Sequence, residues 1–441
     1  MDTFAAHQSA PEDRIVFWAF ALTWPIYLFG GLYILGPVLG VSLTALVMLR
    51  MYFAGSHLSR FQTASIPTGV WVWTVGMLFM LLALEIAHAE QGFGLGQTIK
   101  STIGWAKGWA LFAMFPLVGA CLHIKLDTVI RAAGWVGLGT LMITPVLVAA
   151  PIVGLPEVLF VSPLKIVGGP GPEFFAVQFY SIEPTDGSAR FRFYTPWSPA
   201  AGIIGNMLLI FAINDKRRAW KVMAILSALI MIYLSKSRLA MIAAMFIWPA
   251  VMALRETRRP LPWFAGAVAL ILATPFLQSA FDFVGATVES VKSMRADSTR
   301  VRETLGEIAI ERWWNEAPIW GHGIVERGPH VVENMPIGSH HTWFGLLFVK
   351  GIVGAIALAV PLLWSLLEFA ILTLLRSRSG QVAFAMVLLM SFYTIGENLE
   401  ILSYLMWPCL IVMGIAMREG ADLREKEIRA ARGEAESLVA A

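Results

Sequence analysis

Long apolar runs separated by short charged segments dominate the chain. The runs are about 17 to 25 residues long, which is the length that a helix needs to cross about 30 Å of hydrocarbon. Polar and apolar residues do not alternate within them, as they would in the strands of a membrane barrel. The pattern therefore predicts an all-α polytopic membrane protein with about 12 transmembrane helices.

The placement of basic residues orients these helices. Lys and Arg recur at every second helix end, for example at Arg50, Lys125, 216–218 and 376–378, and such residues favour the cytoplasmic side of a membrane. Both termini are therefore expected in the cytoplasm. No small-residue cleavage site follows the first apolar run, which is accordingly expected to be a retained signal anchor.

This topology divides the chain into four parts. Residues 1–281 are expected to form a transmembrane bundle of about nine helices, with an external loop at 151–197. Residues 282–350 form a large, partly helical external loop. Residues 351–417 return as roughly three more helices, and residues 418–441 form a polar cytoplasmic tail that solvent surrounds.

Composition supports a membrane protein and excludes several other classes. With 441 residues, 57% hydrophobic and 14% charged, the chain carries more apolar surface than one soluble core can bury. Cys121 and Cys409 both fall inside apolar runs, where core thiols are expected rather than a disulfide or a metal site. No Gly-rich nucleotide cradle is present, and no nucleic-acid partner is expected.

The charged stretch 281–350 holds most of the candidate chemistry. Residues 301–314 have the periodicity of an amphipathic helix, with an acidic stripe opposite an apolar side. Arg302 falls on the apolar side, where an arginine needs an anionic partner. We therefore regard Arg302 as a candidate for binding an anionic group.

Two further arginines lie on the predicted external side, where the charge rule disfavours basic residues. Arg238 lies at the outer tip of a helical hairpin. Such a residue either snorkels to lipid phosphate or points into the bundle and holds a phosphate group bidentately. Arg192, in the basic segment that ends the loop 151–197, is a candidate for a second substrate-binding site.

Histidines flank the end of the charged stretch. His340 and His341 stand directly before a helix that re-enters the membrane, so each is either a helix cap or a group that accepts the proton of an attacking hydroxyl. Pro318 and the sequence Gly321-His322-Gly323 predict a helix end followed by a flexible loop. The histidine spacing fits no zinc template, and no metal or other cofactor is expected.

Taken in order, these motifs resemble the core pattern of the O-antigen ligase and Wzy-type polysaccharide polymerase superfamily. The residues that carry the resemblance are Ser235-Lys236-Ser237-Arg238, Arg302 at the start of a helix, Pro318, Gly321-x-Gly323, Ser339-His340 and Gly351-Ile352-Val353-Gly354. At the position after His340 the family commonly has Asn, and here it is His341. This leaves open which histidine acts.

The resemblance implies a metal-independent, inverting glycosyltransferase at the periplasmic face of a bacterial inner membrane. The donor would be a glycan on undecaprenyl pyrophosphate, and the acceptor a sugar hydroxyl of another glycan or of lipid A core, all within inner-membrane lipids. Arg238 and Arg302 would bind the pyrophosphate, and His340 would orient or deprotonate the acceptor hydroxyl. Arg192 and His341 would add substrate contacts.

Four functions remain open from the sequence. A polysaccharide polymerase is preferred over an O-antigen ligase, because two external loops are sizeable and the first ends in a basic segment. A transporter or flippase would use the charged residues near membrane boundaries as binding groups, namely Glu85, Lys350, Glu397 and Glu400. A scaffold for envelope assembly would need none of these side chains for polysaccharide synthesis.

Overall fold

Helices form most of the protein, whose computed structural model describes residues 10–57, 66–183, 187–259 and 296–439. The helices are α1 (Pro11–Ala21), α2 (Thr23–Leu28), α3 (Leu32–His57), α4 (Thr68–Glu90), α5 (Leu95–Lys107), α6 (Leu111–Cys121), α7 (Leu126–Ile152), α8 (Ser198–Ile213), α9 (Arg218–Leu234), α10 (Arg238–Glu256), α11 (Ala296–Glu316), α12 (Thr342–Leu374), α13 (Arg378–Tyr393) and α14 (Leu399–Val439). Short strands are β1 (Val158–Val161), β2 (Ala176–Gln178), β3 (Tyr180–Ile182) and β4 (Ala189–Phe191).

Seven helical spans within these ranges are long and apolar enough to cross a membrane, which agrees with a multi-pass membrane protein. They are Leu32–Phe53, Thr68–Glu90, Leu95–Cys121, Leu126–Ile152, Arg238–Glu256, Thr342–Leu374 and Leu399–Ala431. The apolar run 198–213 predicts a membrane helix, and α8 has the same bounds but only 16 residues. The apolar run 260–280 predicts a further crossing, but it lies outside the described residues, so the expected count of about 12 stays a prediction.

Glycines divide two apolar runs into shorter helices. The turn between α2 and α3 contains Gly30, whose φ of 67° is in the left-handed region that glycine adopts without strain. The predicted crossing 102–123 is interrupted between α5 and α6 at Gly108. A Cβ at Gly108 would lie 2.7 Å from Cγ of Glu400, so the break lets the chain approach the first turn of α14 closely.

Close helix contacts form the centre of the bundle. A Cβ on Gly119 of α6 would lie 2.1 Å from the carbonyl oxygen of Ile411 in α14, and one on Gly414 would lie 2.1 Å from that of Pro116. Small residues allow two membrane helices to approach in this way. The paired glycines thereby fix α14 against α6, and Ile411 is fully buried there.

The loop 151–197 is more ordered than its Pro- and Gly-rich sequence predicts. Strands β1 and β2 pair antiparallel, and β3 and β4 form a second antiparallel pair. The hydroxyl of Tyr27 donates to the carbonyl oxygen of Gln178 at 2.8 Å and accepts its N–H at 2.8 Å. The loop is therefore a folded cover that is hydrogen-bonded to the end of α2.

Ion pairs connect the helix ends on the opposite side of the bundle. Glu12 pairs with Arg50 at 2.7 Å, and Asp127 pairs with both Lys216, at 3.1 Å, and Arg378, at 2.6 Å. These residues belong to the segments whose basic residues predict the cytoplasmic side. They lie together at one end of the bundle, as that topology requires.

The polar tail continues α14 and partly packs against the bundle. Arg418 donates to the carbonyl oxygens of Leu122, at 2.6 Å, and Ile124, at 3.2 Å, and Arg424 pairs with Glu368 at 2.8 Å. Solvent surrounds the later turns, where the side chains up to residue 431 are exposed. The prediction of a solvated tail is therefore wrong for its first two turns.

Candidate active site

The helix α12, which re-enters the bundle after the charged stretch, is broken at Gly351. Gly351 has φ 62° and ψ −164°, a conformation open to glycine alone. The break leaves backbone groups without helical partners, and the carbonyl oxygens of Pro318 and Ile319 accept the N–H groups of Ile352, at 3.0 Å, and Val353, at 3.3 Å. The segment 342–350 is therefore a short helix set apart from the long one.

The loop after Pro318 supports this short helix. The N–H of His322 donates to the carbonyl oxygen of Phe348 at 2.8 Å, and that of Gly323 donates to Val349 at 2.9 Å. Gly321 has φ 75°, and a Cβ there would lie 2.5 Å from the backbone of residues 349–351. The prediction of a flexible loop is wrong, because the loop is hydrogen-bonded and packed along its length.

His322 is the side chain that fixes this loop. Its ring is buried and stacks on Phe348 at a centroid distance of 4.2 Å. Nε2 lies 2.8 Å from Oε2 of Glu316, and Nδ1 lies 3.0 Å from the carbonyl oxygen of Phe348. His322 therefore links the end of α11 to the short helix 342–350.

The amphipathic helix predicted at 301–314 is confirmed within α11. Val301, Leu305 and Ala309 are buried, and the predicted acidic stripe is exposed at Glu303, Glu307 and Glu311. Leu305 packs with Val332 of the following loop, so the loop closes over the apolar side of the helix. This packing positions Arg302 at the edge of the buried face.

Arg302 and His340 line one cavity of about 600 Å³. The cavity opens among α11, the start of α12, the turn 394–398 and the cover 151–197, at the end of the bundle opposite the ion pairs. Four further charged side chains line it, namely Glu173, Lys350, Glu397 and Glu400. Two of the predicted catalytic residues are therefore in the same cavity.

The two adjacent histidines have different positions. His341 is the N-cap of α12, where Nδ1 accepts the N–H of Phe344 at 3.4 Å and the ring stacks on Phe344 at 3.9 Å. His340 lines the cavity. Burial and the nearby Arg302 guanidinium lower the pKa of His340 to about 4, so its imidazole is neutral near pH 7 and can accept a proton.

Arg302 and Arg312, on the same helix, differ in their partners. Arg312 pairs with Glu316 at 2.8 Å and with Glu326 at 2.6 Å, and its guanidinium lies 5.1 Å from the ring centroid of Phe348. Among the residues that the structure describes, no carboxylate is in ion-pair contact with Arg302. Arg312 therefore stabilises the α11 loop, whereas Arg302 is available to an anionic ligand in the cavity.

The other two predicted arginines are not among the described residues that line the cavity. Arg238 begins α10, beside Ser237, which caps that helix. Leu239 contacts Gly396 of the turn that carries Glu397, so Arg238 lies close to the cavity without being placed in its lining.

Arg192 is occupied within the cover. Its Nη1 donates to Oε1 of Gln178 and to the carbonyl oxygen of Pro196, both at 2.8 Å. Burial lowers the pKa of its guanidinium below the ordinary value. The geometry assigns Arg192 to holding the loop together, and it does not place it in the same cavity as Arg302.

Sequence reasoning placed Lys350, Glu397 and Glu400 at membrane boundaries, and the structure brings them to the cavity. Lys350 and Glu397 are each 3% exposed. Charged residues next to or within apolar runs are the signal that could have found them, because such residues are expensive to bury and usually functional. Lys350 is about 50 positions from the two glutamates in the sequence, so the sequence alone did not show that all three line one cavity.

Glu397 is held by contacts on both its backbone and its side chain. The hydroxyl of Thr342 donates to its carbonyl oxygen at 2.6 Å, and Nε1 of Trp197 donates to its Oε2 at 3.0 Å. Burial raises the pKa of the Glu397 carboxyl to about 7, an effect that Arg302 partly opposes. The carboxylate is therefore close to half-protonated near neutral pH.

No group of three or more His, Cys, Asp or Glu side chains within the described ranges is arranged to hold a metal ion.

Comparison with known families decides what kind of site this is. Residues 222–359 match the family model described as O-antigen ligase. This segment is similar to the O-antigen ligase family, and residues 222–359 are called the O-antigen ligase domain in this sense. The resemblance stated from the motifs is thereby confirmed over about a third of the chain. None of the curated proteins compared with the chain matches it.

The O-antigen ligase domain contains Arg238, Arg302, His340 and Lys350 and ends before the turn 394–398. The cavity therefore combines residues of the domain with Glu397, Glu400 and the cover 151–197, which lie outside the matched segment. The match supports a glycosyltransferase-like enzyme, and the seven apolar spans within the described residues indicate a multi-pass membrane protein. The match by itself names no donor, no acceptor and no side of the membrane.

Proposed function

We propose that the protein transfers a glycan from a polyprenyl diphosphate, such as undecaprenyl pyrophosphate, to a sugar hydroxyl at the periplasmic face of a bacterial inner membrane. The observation that carries this proposal is that Arg302 and His340, which both belong to the segment that matches the O-antigen ligase family, line one cavity. An unpaired guanidinium suits a diphosphate, because its fork of donors matches phosphate oxygens. A neutral imidazole beside it suits a hydroxyl that must lose a proton.

In the proposed reaction the acceptor oxygen attacks the anomeric carbon as its proton passes to Nδ1 or Nε2 of His340. The bond between the anomeric carbon and the diphosphate oxygen breaks, and its electron pair leaves with the diphosphate. Arg302 stabilises the added negative charge electrostatically. Attack from the side opposite the leaving group inverts the anomeric configuration, and no metal ion takes part in these steps.

Arg238 is proposed to assist at the diphosphate rather than at the acceptor. It lies at the start of α10 beside the turn 394–398, which forms part of the cavity. A modest rearrangement of its long side chain on donor binding would bring the guanidinium to the phosphate oxygens. Arg192 has no part in the proposal, because Gln178 and Pro196 hold its guanidinium.

The periplasmic assignment rests on the two ends of the bundle. The loops predicted to be cytoplasmic meet in ion pairs at one end, and the cavity opens at the other. Because basic residues near helix ends favour the cytoplasmic side, the cavity belongs to the periplasmic side under this topology.

We propose a polysaccharide polymerase as the first candidate, with an O-antigen ligase as the second. The ordered cover 151–197 and the segment 296–341 give the cavity two external walls, which suits two lipid-linked glycans. The match of residues 222–359 to the O-antigen ligase family favours the second candidate. The internal hydrogen bonds of Arg192 weaken the argument for a second binding site at the basic segment of the cover.

Reconstitution with one substrate separates these candidates. Purified protein in lipid nanodiscs receives only the lipid-linked oligosaccharide of its own host, and the glycan length is followed by gel electrophoresis. Chain growth without lipid A core identifies a polymerase, whereas transfer only after lipid A core is added identifies a ligase. Absence of both reactions under conditions where the protein remains folded would reject the proposed function, with His340→Ala as the inactive control.

A further inference from the structure

Part of the cavity wall differs in charge character from Arg302 and His340, although Arg302 interacts electrostatically with Glu397 in it. It carries the ammonium group of Lys350 and the carboxyl groups of Glu397 and Glu400. Each of these carboxyl groups repels a diphosphate whenever it is ionised. A neutral polyol is not repelled, and its hydroxyl groups both donate and accept hydrogen bonds.

Lys350 is the strongest sign that this wall binds a ligand. It lies one residue before the break at Gly351 and is 3% exposed. Glu400 and Glu85 interact with it electrostatically, but neither is in ion-pair contact, and no described oxygen accepts a hydrogen bond from its Nζ. A buried ammonium with three donors is costly unless acceptors surround it, and a bound sugar would supply them.

Glu397 presents a carboxylate with one oxygen already oriented. The indole N–H of Trp197 donates to Oε2, and no other described side chain donates to the carboxylate. The backbone of the turn is fixed to Thr342 by two hydrogen bonds, from Thr342 N to Thr394 O at 2.9 Å and from Thr342 Oγ1 to Glu397 O at 2.6 Å. Oε1 is therefore available as a fixed acceptor for a hydroxyl group.

Aromatic rings complete the wall. Trp109, Phe174 and Trp197 all line the cavity. Binding sites for small molecules commonly combine aromatic surfaces with a few placed polar groups. Here the flat apolar surfaces suit the C–H faces of a sugar ring, and the charged groups suit its hydroxyls.

We infer that Lys350, Glu397 and Glu400 form a subsite that binds the hydroxyl groups of a neutral sugar ring and that is separate from the diphosphate-binding residues. This inference deepens the proposed function and rests on it. It assigns to substrate recognition three residues that the family match leaves without a role, two of which lie outside the matched segment.

Two binding probes test the separation on the purified full-length protein by calorimetry. One probe is inorganic pyrophosphate, and the other is the oligosaccharide released by mild acid from the host's lipid-linked glycan. We expect Lys350→Met to weaken oligosaccharide binding about tenfold or more, because buried hydrogen bonds to a charged group are lost. Its affinity for pyrophosphate should stay within about twofold, since separate sites contribute independently.

Arg302→Gln should show the reverse pattern, with weaker pyrophosphate binding and unchanged oligosaccharide binding. The exposed Lys100 of α5 provides a matched control, and Lys100→Met should change neither affinity. The inference is overturned if Lys350→Met weakens pyrophosphate binding as Arg302→Gln does, or if it leaves oligosaccharide binding intact.

A double variant separates sugar binding from a purely structural ion pair. If Lys350 only neutralises Glu400, Lys350→Met combined with Glu400→Gln should restore oligosaccharide affinity, which would contradict the subsite. We expect no restoration, because both groups are needed for the hydroxyls. Failure of the proposed function looks different: the wild-type protein would then bind the oligosaccharide with this same residue dependence but transfer no glycan.

Discussion

The two ends of the helix bundle treat buried charge in opposite ways. At one end several buried or partly buried acidic side chains have a cationic partner, as in Glu12 with Arg50 and Glu368 with Arg424. At the cavity end Arg302 has no described carboxylate in ion-pair contact, and Lys350 has no described hydrogen-bond acceptor. Both ends are built from the same kinds of residues in the same kinds of apolar helices.

The difference suggests two roles for charged side chains: the ion pairs at one end stabilise the fold, and Arg302 and Lys350 at the other end are proposed to bind a ligand. The desolvation free energy of a paired charge is offset by its partner within the protein. An unpaired charge destabilises the fold by its desolvation free energy until a ligand supplies the missing contacts. A charged residue in a membrane helix is therefore informative only when its partner is known. Substitutions at the two ends should accordingly affect different properties.

The largest effect is expected at His340. His340→Ala removes the proton acceptor and should lower the transfer rate about 10² to 10⁴-fold without lowering protein abundance. Gel analysis of surface glycan, with the protein level measured by immunoblot, checks this. His341→Ala is the comparison variant, because His341 caps α12, and it should retain most of the activity; equal loss in both variants would contradict the assignment to His340.

Substitution of Arg302 should have the next largest effect. Arg302→Gln removes the charge that faces the diphosphate and should cost about 10²-fold or more in rate, with little change in thermal stability. The neighbour Arg312 is the control, since it is ion-paired: Arg312→Gln should reduce stability and affect the rate much less. Initial rates and melting temperatures of both purified variants test this contrast, and a reversed result would refute it.

A smaller effect is expected where the loop supports the broken helix. Gly321→Ala places a side chain at φ 75° and 2.5 Å from the backbone of the short helix, and should destabilise the protein by about 1–3 kcal/mol. Thermal unfolding in detergent measures the loss. Gly92→Ala, at φ 67° but with nothing within 4 Å, separates backbone strain from the clash; equal losses would mean that the contact with α12 contributes nothing.

At the ion-paired end the effect should be smaller still and confined to stability. Asp127→Asn weakens pairs with Lys216 and Arg378, and such partly exposed pairs contribute about 0.2–1 kcal/mol each. The transfer rate at low temperature should not change. A large loss of rate with normal stability would show that the two ends are not as distinct as the ion pairs indicate.

The smallest effect concerns pH. Glu397, with a pKa of about 7, gains a proton as pH falls through 7, so wild-type sugar affinity should change there, and Glu397→Gln should remove this change. His340, with a pKa of about 4, stays neutral throughout, so the rate of Glu397→Gln should be nearly constant from pH 8 to 5.5. A fall near pH 6.5 in that variant would mean that His340 titrates as an ordinary histidine.

Local patterns in the sequence predicted most of the elements. The bounds of α8 and the two faces of α11 follow from apolar periodicity and from flanking Pro and Gly residues. The break at Gly351 was not predicted, because the hydropathy of the run is uniform and a left-handed φ leaves no trace in composition. The folded cover was missed for a related reason, since its strands have only three or four residues.

The site was predicted in part, and the missing part depends on long-range contacts. His340 and Arg302 were found because a motif carries them. Lys350, Glu397 and Glu400 were noticed as unusual but assigned to boundaries, since sequence does not show that the start of α14 meets the break in α12. The sequence suggested a substrate-binding role for Arg192. It did not reveal that uncharged groups, the Gln178 side chain and the Pro196 carbonyl oxygen, accept hydrogen bonds from its guanidinium.

The clamp made by residues 318–323 has one further mechanical consequence. It joins the end of α11 to the short helix 342–350 through backbone bonds and the His322 ring. Arg302, at the start of α11, and His340, directly before the short helix, are thus carried by one connected unit, while the long part of α12 lies beyond the break at Gly351. A motion of the membrane helices that bends the chain at Gly351 would therefore move α11 and the short helix together, and the distance between Arg302 and His340 would be preserved.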